Sequence, residues 1–266
     1  MKPRELLRRW QRRTRQLLDQ SRALHAACRN RGTPAEIHDL RVTVRRLKVL
    51  VKLARPAIDP KIRSELERWA AQISQATSAT RDLDVAIEWL QTDTSCKTIA
   101  TRLSRLRKQT WGLRQRTLGS FPRRLRKGLR LAQPQRQAAR SLAKRMEKSE
   151  ARFRSKILEG VDQFATMAPE NRHDFRRQIR RWRYLVELRL ARVEQAANPL
   201  LATLLKVQET IGDEQNRLIT EASLRTLPST KTSAPITMLT RVRRRRSANE
   251  RAIDRALKEL ANGPVG

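Results

Sequence analysis

Cysteine is nearly missing from this chain: Cys28 and Cys96 are the two in 266 residues. Two cysteines so spaced make neither a disulfide framework nor a zinc site. A reducing compartment, and with it a cytoplasmic location, is the expectation. Aromatic residues are only 4% of the chain. Trp10, Trp69, Trp89, Trp111 and Trp182 are scattered, mostly on apolar stripes, which excludes the clustered platform on which single-stranded nucleic acid stacks. Zinc-finger, homeodomain and RNA-recognition signatures are also lacking. Glycine is scarce, at 8 residues, and forms no phosphate-cradling loop. No apolar run approaches the roughly 20 residues of a membrane span. The N-terminus is basic but lacks the apolar stretch of a secretory signal. Negative charge is short as well, with 26 Asp and Glu against 60 Lys and Arg and a formal net charge of +34. Self-repulsion of that size opposes a compact state unless an anion offsets it. The expected partner is therefore nucleic acid, an inorganic polyanion or an anionic membrane surface.

What is abundant is helix-forming sequence, rich in Leu, Ala, Arg, Gln and Glu. Hydrophobic residues are 38% of the chain, and they recur periodically, which argues against disorder. The spacing predicts a helix over 4–27 and a break at Gly32. Thr33-Pro34-Ala35-Glu36 then reads as a capping box that opens a helix to about Ala54. Asp59-Pro60 starts another, with Ile62, Leu66, Trp69 and Ile73 on one face. A short break near Thr80 is expected, with Asp82 as a helix cap or as the partner of a neighbouring arginine. Ile99, Leu103, Leu106 and Leu113 form the apolar stripe of the next helix. Gly119–Pro134 reads as a boundary. The second half restarts with a helix over about 135–165. Pro169 and Asn198-Pro199 open further helices, and Gly212–Asn216 stands in the place of Ser78–Asp82. Pro228–Pro235 reads as a polar linker before a last helix that opens at Arg241. The order of elements suggests an internal duplication of a helical bundle, about 135 residues apart.

Each half carries one histidine helix. His38, Arg41, Arg45 and Lys48 recur as His173, Arg176, Arg180 and Arg183, at relative positions 0, +3, +7 and +10. These positions fall within an arc of roughly 80° on an α-helix. Leu40, Val44, Leu47 and Val51 lie away from it, as do Phe175, Ile179, Trp182 and Val186. Each helix thus has a dry face and a cationic face. A cationic face is ordinarily only a solvated surface. Three features argue for more: the repeat, the shortage of carboxylates on the stripe, and a histidine at a fixed offset. Arginine forks make charge-assisted bonds to phosphate oxygens. Successive forks stand roughly 4.5 to 10.5 Å apart, which suits a repeating chain of phosphates better than one small metabolite.

Other readings of the histidines are weaker. Cations surround each ring, which disfavours a divalent metal, and Asp39 and Asp174 point away from the preceding ring. General acid or base work is conceivable, but no nucleophile, phosphate loop or carboxylate pair accompanies it. The Arg243–Arg246 run binds polyanions without specificity.

The paired segments His38–Lys52 and His173–Glu187, with the Asp82 and Asn216 punctuation, resemble the CHAD family, the conserved-histidine α-helical domain. The resemblance covers about residues 5–226. It implies an all-α fold of two similar antiparallel bundles about a pseudo-twofold axis, with a basic central cavity. It also implies non-catalytic binding of inorganic polyphosphate, with association with polyphosphate granules in some members. By resemblance the binding roles fall to His38, Arg41, Arg45, Lys48, His173, Arg176, Arg180 and Arg183, with Arg46, Lys52 and Arg181 in second rank. The domain would occupy 1–226, with halves over about 4–118 and 135–226. Residues 227–266 would form a linker and a basic helix. No metal or cofactor is expected. Glu187 departs from the pattern, being acidic where the first copy has Lys52, so the halves are expected to bind unequally. The family often accompanies a triphosphate-processing domain, and none is visible here. The competing readings are a basic helical protein that binds nucleic acid non-specifically, a scaffold for acidic partners, and, least supported, a phosphohydrolase.

Overall fold

The computed structural model describes residues 1–91, 96–129, 131–226 and 246–263. Among them the chain is all-α. No described helix is long and apolar enough to cross a membrane. α1 (Pro3–Asn30) buries Leu6, Leu7, Trp10, Leu17 and Leu18. The Trp10 indole N–H donates to the Leu50 carbonyl at 2.8 Å, which pins α1 to the next helix. Gly32 turns the chain at φ +60°, and a Cβ there would meet the Trp111 ring at 2.1 Å. Only glycine fits a left-handed turn under an indole. Thr33 and Glu36 then form the expected capping box, and α2 (Pro34–Leu53) begins.

α3 (Pro60–Leu90) opens at the Asp59 cap, whose carboxylate accepts from the Lys61 N–H at 2.7 Å. It runs unbroken through Thr80 and Asp82, so the expected break near Thr80 is absent and Asp82 caps nothing. A long-range contact holds this stretch helical: Arg107 of α4 (Lys97–Arg114) donates to the buried Asp84 at 2.8 Å and to the Gly32 carbonyl at 2.6 Å. On α4, Ile99 and Leu103 are buried, but Leu113 is 78% exposed. Trp111 takes the core position that the apolar stripe assigned to Leu113.

Among the described residues of the Gly119–Pro134 stretch there is a single turn of helix, α5 (Arg123–Arg126). The Ala132 N–H binds the Ala57 carbonyl at 2.7 Å. α6 (Gln135–Val161) ends four residues earlier than expected, and α7 (Pro169–Arg189) follows a short 3-10 turn. The short α8 (Arg192–Ala197) had no signal in the sequence. α9 (Pro199–Arg225) is capped by Asn198 and passes straight through Gly212. α10 (Arg246–Asn262) is the last element. The expected linker at 228–235 and the start of a helix at Arg241 lie outside the described residues.

Packing joins the two halves. α1 lies on α2 and α6, α2 on α3, α3 on α4 and α9, and α7 on α6 and α9. One apolar core runs through α1, α2, α3, α6, α7, α9 and α10. A smaller one gathers Leu83, Leu90, Ile99 and Leu103 with Leu224. α10 sits on α9 and α6, burying Ile253, Ala256, Leu257 and Leu260. Its Lys206–Glu259 ion pair at 2.6 Å is exposed and adds little. The C-terminal helix is thus part of the core. Leu257→Ala is expected to cost about 2–5 kcal/mol, read as a lower denaturant midpoint. An unchanged midpoint would show that α10 is not docked in solution.

Candidate functional site

α2 and α7 face each other over a cleft of about 560 Å³ that α3 and α9 close at the sides. Each helix turns its dry face to the core, and part of its cationic face looks into the cleft. α2 brings Arg41, Arg45 and Lys48 to the cleft; α7 brings His173, Arg176, Arg177, Arg180 and Arg181. Asp82 is the single carboxylate among the described lining residues, against seven arginine and lysine side chains.

Arg41 is held by α3, donating to the Ser74 carbonyl at 3.2 Å and the Thr77 hydroxyl at 2.8 Å. Asp82 makes no hydrogen bond to it and acts on it only at a distance; burial pushes the Asp82 carboxyl up against the pull of Arg41 and Arg81. Arg176 rests on the bare backbone of Gly212, where a Cβ would come within 3.2 Å of its guanidinium. A glycine in the middle of α9 therefore makes room for an arginine. The Nε–H groups of Arg176 and Arg180 are buried without a hydrogen-bond partner among the described residues. Burial, then Arg45 and Arg176, push the Arg180 guanidinium down to about 9, which leaves it charged at neutral pH. Arg176 is shifted down by burial and by Arg45. Buried donors without acceptors are costly to the free protein.

Other expected residues lie elsewhere. His38 faces a separate pocket between α2, α3 and α4, with Asp39, Arg81, Asp84, Glu88 and Arg107 around it. Arg183 is buried, and its Nε lies 3.4 Å from Glu187, an ion contact rather than a well-formed hydrogen bond. Glu187 also takes Arg46 at 3.6 Å. Both guanidinium groups lie over the Tyr184 ring, at 5.2 Å for Arg46 and 4.9 Å for Arg183. Lys52 is exposed beyond the cleft, near Arg181. Arg177, Tyr184 and Gln215 line the cleft from outside the two four-residue stripes, and on α9 it is Gln215 rather than Asn216 that does so. No group of three or more His, Cys, Asp and Glu able to hold a metal occurs among the described residues.

The sequence profile of the CHAD domain matches residues 8–225. The chain belongs to the CHAD family. Its fold is similar to the crystal structure of the CHAD domain from the plant Ricinus communis, with 17% identity and a TM-score of 0.62 over 97% of this chain and 88% of that one. It is also similar to PptA from Streptomyces chartreusis, with 15% identity and a TM-score of 0.53 over 91% of this chain and 96% of that one. No curated protein matches the sequence. Among the described residues, the stretch that the profile matches ends with α9.

The two histidines are shifted the same way for partly different reasons. His173 falls below its ordinary 6.5 through burial first, then Arg177, Arg180 and Arg176. His38 falls through burial, then Arg81. Burial is the larger cause in both. A histidine depressed in the fold is neutral when native and takes its proton more readily when unfolded. Its contribution to stability is present above about 6.5 and is lost as pH falls through the folded pKa. Both imidazoles are expected to titrate below 6.5 in an NMR titration of the free protein. Arg177→Ala should raise the midpoint of His173 and leave that of His38 in place. A parallel shift of both would contradict the two separate environments.

Proposed function

We propose that the protein binds inorganic polyphosphate in the cleft between α2 and α7, without turning it over. The observation that carries this reading is the pair of buried, unpartnered Nε–H groups of Arg176 and Arg180 in a cleft with one carboxylate. Membership of the CHAD family supports it. Opposed stripes of cations suit a narrow strand that is charged around its whole circumference. A nucleic acid strand carries phosphate along one edge and bases along the other, so it would satisfy one stripe at a time. The reading extends to the two halves as copies of one bundle about a pseudo-twofold axis, each supplying one stripe. Arg41, Arg45, Lys48, Arg176 and Arg180 are the main donors, with Arg177, Arg181 and His173 beside them. His38, Arg46 and Arg183, which face or pair elsewhere, are assigned no direct contact. Granule association and a cytoplasmic location belong to the same proposal.

A bound polyanion would raise the His173 pKa, so binding takes up a proton, and affinity grows as pH falls below about 6.5. Counterion release makes affinity fall steeply with salt. Removing both Arg176 and Arg180 as alanines is expected to weaken binding by at least about 1.5–3 kcal/mol, the worth of one charge-assisted bond. The free protein should melt no lower, since two unpaired buried cations are gone. Calorimetry against long-chain polyphosphate at fixed salt, beside a melting curve, reads both. Unchanged affinity in the folded double variant sinks the assignment. Tighter binding of duplex DNA at matched phosphate would favour the nucleic-acid reading instead.

A further inference from the structure

Two pairs of residues stand at matched offsets from His38 and His173: Arg46 and Arg181 eight residues on, Lys52 and Glu187 fourteen residues on. The fold cross-pairs them between helices. Arg46 of α2 meets Glu187 of α7 as a salt bridge at 3.6 Å. Lys52 of α2 stands where the charge of Arg181 of α7 acts on it, and both are cations. One of these pairs thus carries opposite charges over Tyr184. The other carries like charges.

The cations do not end at that pair. Arg145 of α6 donates to the Leu53 carbonyl at 2.8 Å and the Lys52 carbonyl at 3.2 Å, which ties α6 across the C-terminal end of α2. Two turns further along α6 stands Arg152, about 10.5 Å on. Arg152 is exposed, and its guanidinium lies 5.3 Å over the Phe153 ring. Arg55, just past α2, is exposed, and its charge acts on Lys52. Burial, then Arg181, Arg152 and Arg55, push the Lys52 ammonium down, and Glu67 pulls against them; Arg181 is pushed down by burial and by Arg177 and Arg152, against Asp174. Arg177 and Arg181 themselves line the cleft. A line of cations therefore runs from the cleft, through Arg181 and Lys52, onto the outer face of α6.

We propose that a linear polyanion longer than the cleft leaves it on the Lys52–Arg181 flank only, over Arg152 and Arg55, while the Arg46–Glu187 pair keeps the opposite flank shut. This rests on the cleft reading above and adds a direction and a length preference to it. A short anion fills the cleft and never reaches Lys52. A long one gains contacts with each phosphate that passes the flank. Glu187, which departs from the pattern of the first half, is then the residue that leaves a single exit.

The test is a charge reversal at Lys52 with two probes, tripolyphosphate and long-chain polyphosphate. Lys52→Glu would let Arg181 form an ion pair like the one Arg46 makes with Glu187. Long-chain affinity should drop about tenfold or more, and tripolyphosphate affinity should hold. Arg152→Ala should lower long-chain affinity alone, by less. Lys97→Glu, an equal charge change at an exposed site on α4, should lower both slightly and equally. A melting curve checks folding, and Lys52→Gln serves if the glutamate variant is unstable. Long-chain affinity no lower in the Lys52 variant than in Lys97→Glu overturns the exit. Equal losses for both probes place Lys52 inside the cleft and overturn it too. A native protein that binds neither probe fails earlier, at the cleft reading, and takes the exit with it.

Discussion

Arg45 stands against Arg176 and Arg180 inside a cleft whose one described carboxylate is Asp82. Everything else in the structure is arranged so that these like charges stay close. The force that holds them is the burial of the other faces of the same helices: Leu40, Val44 and Leu47 on α2, Phe175, Ile179 and Trp182 on α7, all in the main core. A buried leucine or isoleucine contributes about 1.5–3 kcal/mol, and several such side chains per helix outweigh a repulsion that water partly screens. The small cost left over is what an anion would relieve. That is the physical link between the fold and the polyanion ligand proposed for this CHAD protein.

The supports of the cleft are local and specific. Thr77 and Ser74 orient Arg41 from α3. Gly212 lets Arg176 approach α9. Glu187 draws Arg46 and Arg183 together over Tyr184. The asymmetry between Lys52 and Glu187 is a single difference of charge at matched positions, and it decides which side of the crossing stays positive.

Much of this was legible from spacing. The capping box, the proline starts at 34, 60 and 199, and the cationic offsets of Arg41, Arg45, Arg176 and Arg180 all follow from helical periodicity. What escaped depends on contacts between distant segments. The sequence near Thr80, just before the charge-rich Arg81–Asp84, reads as a break, yet Asp84 pairs with Arg107 from α4 and the helix continues. The same packing of α4 forms the pocket that His38 faces. Arg177 was passed over because it lies outside the narrow stripe on α7, and the cleft wraps further round that helix than one stripe. Arg183 looked like a twin of Lys48, but Glu187 one turn on draws it inward. Periodicity assigns faces to a helix; it does not say which neighbour will claim each side chain.

The most direct measurement is side-chain NMR of the arginine Nε–H groups during addition of polyphosphate. The account predicts that the Nε–H signals of Arg176 and Arg180, without a described acceptor in the free protein, move first and furthest as they gain one. Arg107, already bonded through its Nε to Asp84, should stay in place. Shifts confined to exposed arginines, with Arg176 and Arg180 unmoved at saturation, would show that the polyanion binds the outer surface and that the cleft is not its site.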